Sequence, residues 1–222
     1  AMAFGSKHKS KALGTFGDFG VVSFDVTKHV SASQGGLIII NNKTYSRHLK
    51  EIYHVGTNLD TFKQGDIPYY EWVSLGSKYQ MSETNAAILA AQLDDSKDIL
   101  IQLNSLSQHY TKHFNKFVDS QEIKLVNHLF QNENFHQVFL LCKSLAQRKD
   151  LASYLNQQGI ESFFHYIPLH DSSFGKPMKC LGKLENTTSI SNRLLRLPFH
   201  MNLTEDDVSY VCKQIANFTD HE

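Results

Sequence analysis

The stretch from Ser82 to Phe117 constrains the fold most, because it contains neither glycine nor proline. Its apolar side chains recur three or four residues apart, the spacing of one face of an α-helix. They are Ala86, Ile88, Leu89, Leu93, Ile99, Leu100, Leu103, Leu106 and Tyr110. Ser82 followed by Glu83 is typical of a helix N-terminus. We therefore predict one long helix over 82–117 that links two subdomains.

The segment before this helix contains two predicted strands and a long irregular region. Val21–Phe24 is β-branched and aromatic, and the wholly apolar Leu37–Ile40 follows Gly35-Gly36. A continuous apolar strand is typical of a sheet covered by helices, so we predict that 37–40 is buried on both faces. A helix is predicted over 43–54. Residues 55–80 show no regular pattern, and loops of this length usually have a function.

The chain after residue 117 has the pattern of a separate α+β module. Strands are predicted over 135–142, 160–166 and 197–199, and helices over 146–158 and 190–195. Thr204, followed by three acidic residues, predicts the start of a last helix that ends at Phe218. The predicted domains are 1–81, the linking helix 82–117, and 118–222.

The composition indicates a globular protein. Of the 222 residues, 41% are hydrophobic, with 15 Phe and 9 Tyr, which is enough for a substantial core. The 22 basic and 22 acidic side chains balance, which argues against binding of nucleic acid or membranes by bulk charge. No apolar run has the length of a membrane span, and no secretion signal is present, so we expect a cytoplasmic protein.

The cysteines and histidines do not predict a metal site. Cys142, Cys180 and Cys212 are far apart and lack C-x-x-C spacing, which argues against a disulfide framework and a structural zinc site. The 12 histidines form no H-E-x-x-H motif. We therefore predict no bound metal.

Lys28 is the first candidate for chemistry, because it lies between a predicted strand and the paired glycines that precede the next strand. Partial removal of a lysine from water favours its neutral amine, which is the form that attacks a carbonyl. Ser23, Thr27 and the glycine backbone N–H groups are suited to a phosphate. The same pattern also fits an exposed loop lysine beside a serine-rich turn, and it does not identify a cofactor.

Four blocks of sequence resemble the DegT/DnrJ family of sugar aminotransferases, which depend on pyridoxal phosphate. The first joins the glycine-rich segment 14–20 to an S-F-x-x-T-K run that ends at Lys28 and leads to two glycines. The other blocks are G-S-K-Y-Q-M-S-E-T-N-A-A at 76–87, F-H-Y-I-P-L-H at 164–170 and N-R-L-L-R-L-P at 192–198. The last two are most similar to the members that make dTDP-4-amino-4,6-dideoxygalactose.

This resemblance implies roles for three residues of the first half. Lys28 matches the lysine that binds pyridoxal phosphate covalently, and Ser23 matches a serine that holds the cofactor phosphate. Lys78 stands where many members have an asparagine that reaches the phosphate of the neighbouring subunit's cofactor. A lysine can serve a phosphate there as a point charge, but it is not equivalent to an asparagine.

The resemblance also implies a substrate-binding region. His165, Tyr166 and His170 match a block near the sugar-nucleotide pocket, although packing at a strand end explains them equally well. Gln34 stands where the family commonly has Glu, and Asp25 where it often has His or Tyr. Both departures lie close to Lys28 in the sequence.

The implied fold is that of the type I aminotransferases, with a large α/β domain around a mainly parallel sheet and a small α+β C-terminal domain. In that fold, 1–81 is a remnant of the large domain. The implied reaction transfers an amino group from L-glutamate to a dTDP-4-keto-6-deoxyhexose, for surface polysaccharide such as lipopolysaccharide. The family's N-terminal portion holds the cofactor ring and phosphate, so we expect this chain alone to be inactive. In relatives, the segment that matches 55–80 reaches the partner's site, so we expect a homodimer.

Three alternatives remain open. The first is that this protein is an aminotransferase of the same family that acts on another keto-sugar nucleotide. Some relatives carry histidine instead of the lysine and deoxygenate sugars; Lys28 argues against that chemistry, although His29 is adjacent. The third alternative is a non-catalytic interaction protein that dimerises through the helix 82–117.

Overall fold

The computed structural model describes residues 2, 4–118, 122–126, 136–178 and 182–220. The chain divides into two compact units, Ala1–Asp98 and Ile99–Glu222. Among the described residues, no helix has the length and apolar character needed to cross a bilayer. Cys180 and Phe135, the first residue of the predicted strand over 135–142, lie outside the described ranges.

The first unit contains two antiparallel hairpins. Strand β1 (Lys7–His8) pairs with β2 (Lys11–Ala12), and β3 (Phe19–Ser23) pairs with β4 (Gly36–Ile40). The predicted burial of 37–40 on both faces is wrong, because Leu37 and Ile38 are 40% and 50% exposed. In the described part of the chain, β4 has β3 as its one strand neighbour. The wholly apolar run therefore predicted a strand correctly, but it did not predict whether other elements cover both faces of that strand.

Helices follow the second hairpin much as predicted. The helix expected over 43–54 is a 3₁₀ turn, Lys43–Tyr45, followed by α1 (Ser46–Tyr53). The region 55–80 is mostly irregular but contains the short helix α2 (Leu59–Lys63). Helix α3 (Glu83–Asp94) begins at the predicted cap, where the Asn85 N–H donates to Ser82 Oγ at 3.2 Å.

The predicted single helix over 82–117 is two helices. A single residue, Asp95, separates the end of α3 from the start of α4 (Ser96–Phe117). The Ser96 hydroxyl donates to the Leu93 carbonyl at 2.6 Å and so satisfies an acceptor in the last turn of α3. The break falls at Asp94-Asp95-Ser96, side chains that compete with the backbone for hydrogen bonds and weaken a helix interior.

The second unit is the predicted α+β module. Its antiparallel sheet has the strand order β5–β6–β8–β7. The strands are β5 (Lys124–Leu125), β6 (Val138–Leu141), β7 (Phe163–Phe164) and β8 (Leu194–Leu197). The helices after α4 are α5 (Leu145–Gln157), α6 (Glu185–Arg193) and α7 (Glu205–Asp220). The α7 start at Thr204 is confirmed: the Thr204 N–H donates to Asp207 Oδ2 at 2.8 Å, and the Asp207 N–H donates back to Thr204 Oγ1 at 3.2 Å.

One core joins the sheet of this unit to α4, α5 and α7. Side chains with no exposed surface include Tyr110, Val138, Leu140, Leu151, Leu155, Leu195, Val208, Cys212 and Ile215. The Tyr110 hydroxyl donates to the Pro198 carbonyl at 2.7 Å, so its polar atom is satisfied inside the core. Burial raises the pKa of Tyr110 well above its usual range, which keeps the phenol neutral.

Two element assignments in this unit differ from the prediction. The helix expected over 190–195 is the end of α6 followed by β8, and the strand expected over 160–166 is only Phe163–Phe164. Along β8, half-buried and buried residues alternate, with Leu195 and Leu197 in the core. Pairing with β6 on one side and β7 on the other makes this leucine-rich stretch a strand.

Candidate active site

Lys28 lies in the loop that joins β3 to β4. Two backbone hydrogen bonds close the base of this loop: Phe24 N–H to the Gly35 carbonyl at 2.9 Å, and Ala32 N–H to the Phe24 carbonyl at 2.8 Å. The Phe24 side chain is fully buried and meets the Phe4 ring edge-on, with centroids 5.7 Å apart. The loop that carries Lys28 is therefore anchored at its base by an aromatic side chain.

The Lys28 amine has a polar neighbour but, in the described ranges of the chain, no charged partner. Its Nζ donates to Thr27 Oγ1 at 3.1 Å, and the Thr27 hydroxyl donates to Asp25 Oδ1 at 3.2 Å. The backbone N–H of Lys28 donates to the Asp25 carbonyl at 2.9 Å, which forms a tight turn. Among the described residues, no carboxylate lies within ion-pair distance of Lys28. The side chain is half-buried and its amine is available to a ligand.

Ser23 ends β3 opposite Gly36, on the same hairpin as Lys28. Its Oγ accepts a long hydrogen bond of 3.4 Å from the Asp25 N–H, which leaves the hydroxyl hydrogen to donate. The two strands are close here, because a Cβ on Gly36 would lie 2.8 Å from the Val22 carbonyl oxygen. A hydroxyl donor and an amine at one end of a hairpin suit an anionic ligand that also carries a carbonyl group.

The structure brings the second sequence block against the end of the lysine loop. The Asn85 side-chain amide donates to the Gln34 carbonyl at 2.9 Å, and a Cβ on Gly35 would lie 2.3 Å from Met81 Cε. The start of α3 therefore fixes the chain where it leaves the loop. Lys78 is exposed and pairs with His54 in an isolated backbone bridge; none of its described contacts joins it to Lys28.

A cavity of about 400 Å³ opens in the second unit. It is lined by Arg148, Phe164, Tyr166, Ile167, Pro168, Asp171, Lys176, Thr188, Ser191 and Asn192. The Arg148 guanidinium donates to the Ser191 carbonyl at 3.4 Å and lies 5.2 Å from the centre of the Phe164 ring. Burial lowers the pKa of Arg148, but a guanidinium stays charged at neutral pH. The lining thus combines two cations and the Asp171 carboxylate with hydroxyl, amide and aromatic groups.

Tyr166 lies directly on this cavity. Its φ of 53° is in the left-handed region, which a bulky residue adopts only when its surroundings enforce it. The Ser191 hydroxyl donates to the Tyr166 carbonyl at 2.8 Å and holds this conformation. The Arg196 guanidinium lies 5.2 Å from the centre of the Tyr166 ring. The ring is 60% exposed and is available to stack on a ligand.

The two histidines of the same block do not line the cavity. His165 packs edge-on against Phe139, with centroids 5.2 Å apart. Burial, and then the charge of Arg196, lower the pKa of His165, so its imidazole is neutral at pH 7. His170 Nε2 lies 3.0 Å from Thr188 Oγ1, a hydroxyl that lines the cavity. His170 therefore contacts Thr188, which lines the cavity. His165 lies next to Tyr166 on the side of the protein interior.

Sequence analysis missed the two cations of the cavity. Arg148 lies on α5 and Lys176 in the loop after β7, and neither belongs to a block that resembles the family. No local pattern marks them, because the fold alone brings these segments to one cavity.

Comparison with known proteins identifies the family. The model of the DegT/DnrJ/EryC1/StrS aminotransferase family matches residues 1–216. The chain is 30% identical to GDP-perosamine synthase of Escherichia coli O157:H7, over 98% of this chain and 56% of that protein. It is 24% identical to UDP-4-amino-4,6-dideoxy-N-acetyl-beta-L-altrosamine transaminase of Campylobacter jejuni, over 94% of this chain and 54% of that protein. The chain thus spans about half the length of the curated relatives it matches.

Solved structures show the same fold. Helicobacter pylori PseC, an aminotransferase involved in the biosynthesis of pseudoaminic acid, superimposes with a TM-score of 0.88 at 20% identity, over 100% of this chain and 58% of that one. A DegT DnrJ EryC1 StrS aminotransferase from Brucella abortus has a TM-score of 0.83 at 23% identity, over 98% and 55%. The predicted fold class, mixed α/β as in the aminotransferases, is confirmed. The chain belongs to the DegT/DnrJ/EryC1/StrS aminotransferase family.

Proposed function

We propose that Lys28 holds pyridoxal phosphate, and that the protein transfers an amino group from L-glutamate to a keto-sugar nucleotide for surface-polysaccharide synthesis. The observation that carries the proposal is the half-buried Lys28 amine, which has no carboxylate partner among the described residues and lies on an anchored hairpin loop. Membership of an aminotransferase family supports the reaction class.

The residues of the hairpin fit the cofactor. To react with an aldehyde, a nearby amine must not be held in its protonated form by an ion pair with a carboxylate. Lys28 provides such an amine. A phosphate needs hydrogen-bond donors, and the Ser23 hydroxyl provides one at the end of β3. The exposed Lys78 is a further cation of the same unit, and its proposed role toward the phosphate of a neighbouring subunit belongs to the assembled protein.

Each side chain has a limited task in this scheme. When bound, pyridoxal phosphate supplies the electron sink for the amino-group transfer. Lys28 Nζ would hold the cofactor and, once released from it, would act as the base and acid that moves the proton during the transfer. Thr27 and Asp25 restrict the lysine backbone and side chain through the hydrogen bonds of the turn. The Asn85 contact to Gln34 keeps the far end of the loop in place.

The cavity of the second unit is the proposed site for part of the sugar nucleotide. Arg148 and Lys176 would neutralise the diphosphate, since guanidinium and ammonium groups are the usual phosphate partners. Ser191, Asn192 and the exposed ring of Tyr166 offer hydrogen bonds and a stacking surface to the sugar. Its volume of about 400 Å³ lies within the range of ordinary ligand sites.

The proposed substrate is a dTDP-4-keto-6-deoxyhexose, as the resemblance of the C-terminal blocks implies. The two named relatives carry GDP and UDP in their names, so the nucleotide is the least constrained part of the proposal. A panel of dTDP-, GDP- and UDP-linked 4-keto sugars, assayed with the same preparation, assigns it.

A homodimer is the proposed assembly. The segment 69–79 exposes six large hydrophobic side chains: Tyr69, Tyr70, Trp72, Val73, Leu75 and Tyr79. Leu75 is 94% exposed and Trp72 is 76% exposed, and an exposed apolar set of this kind is typical of an interaction surface. A complete protein that is active as a monomer at micromolar concentration would contradict this assembly.

The test of the reaction compares Lys28→Ala with Lys63→Ala in the complete natural protein loaded with pyridoxal phosphate. Lys63 is an exposed lysine on α2 and serves as the matched control. We expect L-glutamate to change the cofactor absorbance in the wild type and in Lys63→Ala but not in Lys28→Ala. Full turnover in Lys28→Ala would overturn the assignment.

The test of the sugar-nucleotide site is Arg148→Met, which removes the charge and keeps most of the length. We expect the KM for the sugar nucleotide to rise about tenfold or more, as for loss of a charged hydrogen-bond partner. The half-reaction with L-glutamate should be unchanged. An unchanged KM would show that the cavity does not bind the nucleotide.

A further inference from the structure

Two histidines and a glutamate meet on one side of the second unit, away from the cavity of about 400 Å³. His109 and His113 lie one turn apart on α4, and Glu205 is the first residue of α7. Glu205 Oε1 is 3.3 Å from His109 Nδ1 and 3.0 Å from His113 Nε2. One ligand atom from each of the three side chains lies within 4.8 Å of the other two.

We propose that His109, His113 and Glu205 bind a first-row divalent transition metal ion such as Zn²⁺. Two imidazoles and one carboxylate are a common donor set for zinc, whereas Mg²⁺ and Ca²⁺ prefer oxygen ligands alone. Zinc bonds of about 2.0–2.1 Å place neighbouring tetrahedral donors about 3.3 Å apart. The separations of 3.3 Å and 3.0 Å from Glu205 Oε1 are close to that value.

The surroundings hold both imidazoles in place. Ser105 Oγ lies 3.2 Å from His109 Nε2, the ring nitrogen that faces away from Glu205. Such a contact on the second nitrogen orients a metal-binding histidine and selects its tautomer. His113 is buried, and its ring stacks on Phe117 with the centroids 5.8 Å apart.

A fourth position is accessible from a small cavity. His109 and Glu205 line a space of about 120 Å³, together with His200 and Met201. Water can complete the coordination from this side. The metal would join α4 to the start of α7, whose cap at Thr204 already fixes the backbone at this point.

Lys112 competes with the metal for the same oxygen. Its Nζ donates to Glu205 Oε1 at 2.8 Å, and the lysine side chain is 65% exposed. The metal displaces this ammonium group, which returns to water. Removal of the Lys112 charge should therefore strengthen metal binding, whereas a cluster that serves only as an ion pair gives no such effect.

The experiment is titration calorimetry of the complete protein with Zn²⁺ after chelator treatment. All variants carry Cys180→Ser, which removes one thiol that competes for zinc. The ligand variants are His109→Gln and Glu205→Gln. His48→Gln is the matched control, because His48 is an exposed histidine of the first unit. Mg²⁺ is titrated in parallel, and hydrogen exchange of α4 confirms that each variant is folded.

We expect one Zn²⁺ per chain, a loss of affinity of about tenfold or more in His109→Gln and Glu205→Gln, and no change in His48→Gln. Lys112→Gln should bind about two- to fivefold more tightly, as expected for removal of an exposed ion pair. Absence of saturable binding, equal affinity in the ligand variants, or weaker binding in Lys112→Gln would each overturn the proposal. The Lys112→Gln result decides the matter if a ligand variant does not fold.

Discussion

Gly20 of β3 is the position where one added methyl group should most disturb the hairpin that carries Lys28. A Cβ on Gly20 would lie 1.7 Å from the Gly14 carbonyl oxygen, whereas real Cβ atoms essentially never approach a heavy atom closer than 3.0 Å. The atom in the way belongs to the backbone, so no side-chain rotation relieves the clash. In Gly20→Ala, β3 and the turn at Gly14 must move apart by more than 1 Å.

The cost follows from the kind of contact. Overpacking in a closely packed region typically costs about 1–3 kcal/mol, and a backbone clash belongs at the upper end. A local destabilisation of about 3 kcal/mol corresponds to about a hundredfold faster amide exchange in β3. Gly17→Ala is the matched control, because its Cβ would meet only the Phe19 carbonyl oxygen at an ordinary 3.6 Å. The Gly17→Ala substitution should change the stability of β3 by less than about 0.5 kcal/mol.

The assay is hydrogen exchange followed by mass spectrometry of the peptide that contains β3. We expect fast exchange in Gly20→Ala, near wild-type exchange in Gly17→Ala, and weaker binding of pyridoxal phosphate only in the first variant. Equal protection of β3 in the two variants would refute the reasoning, because the clash would then be absorbed without cost.

Two further predictions concern stability. Leu195→Ala should lower the unfolding free energy of the second unit by about 2–5 kcal/mol, because Leu195 is fully buried. Leu169→Ala, at an 87% exposed position, should change it by less than about 0.5 kcal/mol; equal urea midpoints would contradict this. Hydrogen bonds from Lys112, and then from His113, lower the pKa of Glu205 to about 2. Because that pKa is below its value of 4.5 in the absence of these contacts, the stabilisation is complete above pH 4.5 and is lost as the pH falls through 2. Glu205→Gln should flatten this part of the acid denaturation curve, and an unchanged curve would contradict the ion pairing.

The sequence predicted best those features of the fold that residues close together in the chain determine. The helix starts at Ser82 and Thr204 are confirmed because a cap is formed by hydrogen bonds within three residues. The family was recognisable for a similar reason, since its blocks are short and contiguous, as around Lys28. The helix break at Asp95 was missed because the absence of glycine and proline was given more weight than weak helix formers.

What the sequence did not predict depends on distant segments. Leu194–Leu197 is a strand because β6 and β7 pair with it, and nothing within the stretch requires that. Arg148 and Lys176 meet only through the folding of the second unit. The H-x-x-x-H spacing of His109 and His113 is visible in the sequence and was overlooked when we predicted no metal. Its carboxylate, Glu205, is far away in the chain and could not be paired with it by spacing.

Chemical mapping of the amine that holds the cofactor tests the central claim most directly. The complete protein is loaded with pyridoxal phosphate, reduced with borohydride and digested, and the labelled peptide is identified by mass spectrometry. We predict one label per chain on Lys28, and no comparable label in Lys28→Arg. A label found mainly on another lysine, such as Lys78, or the same amount of label after the substitution, would contradict the account.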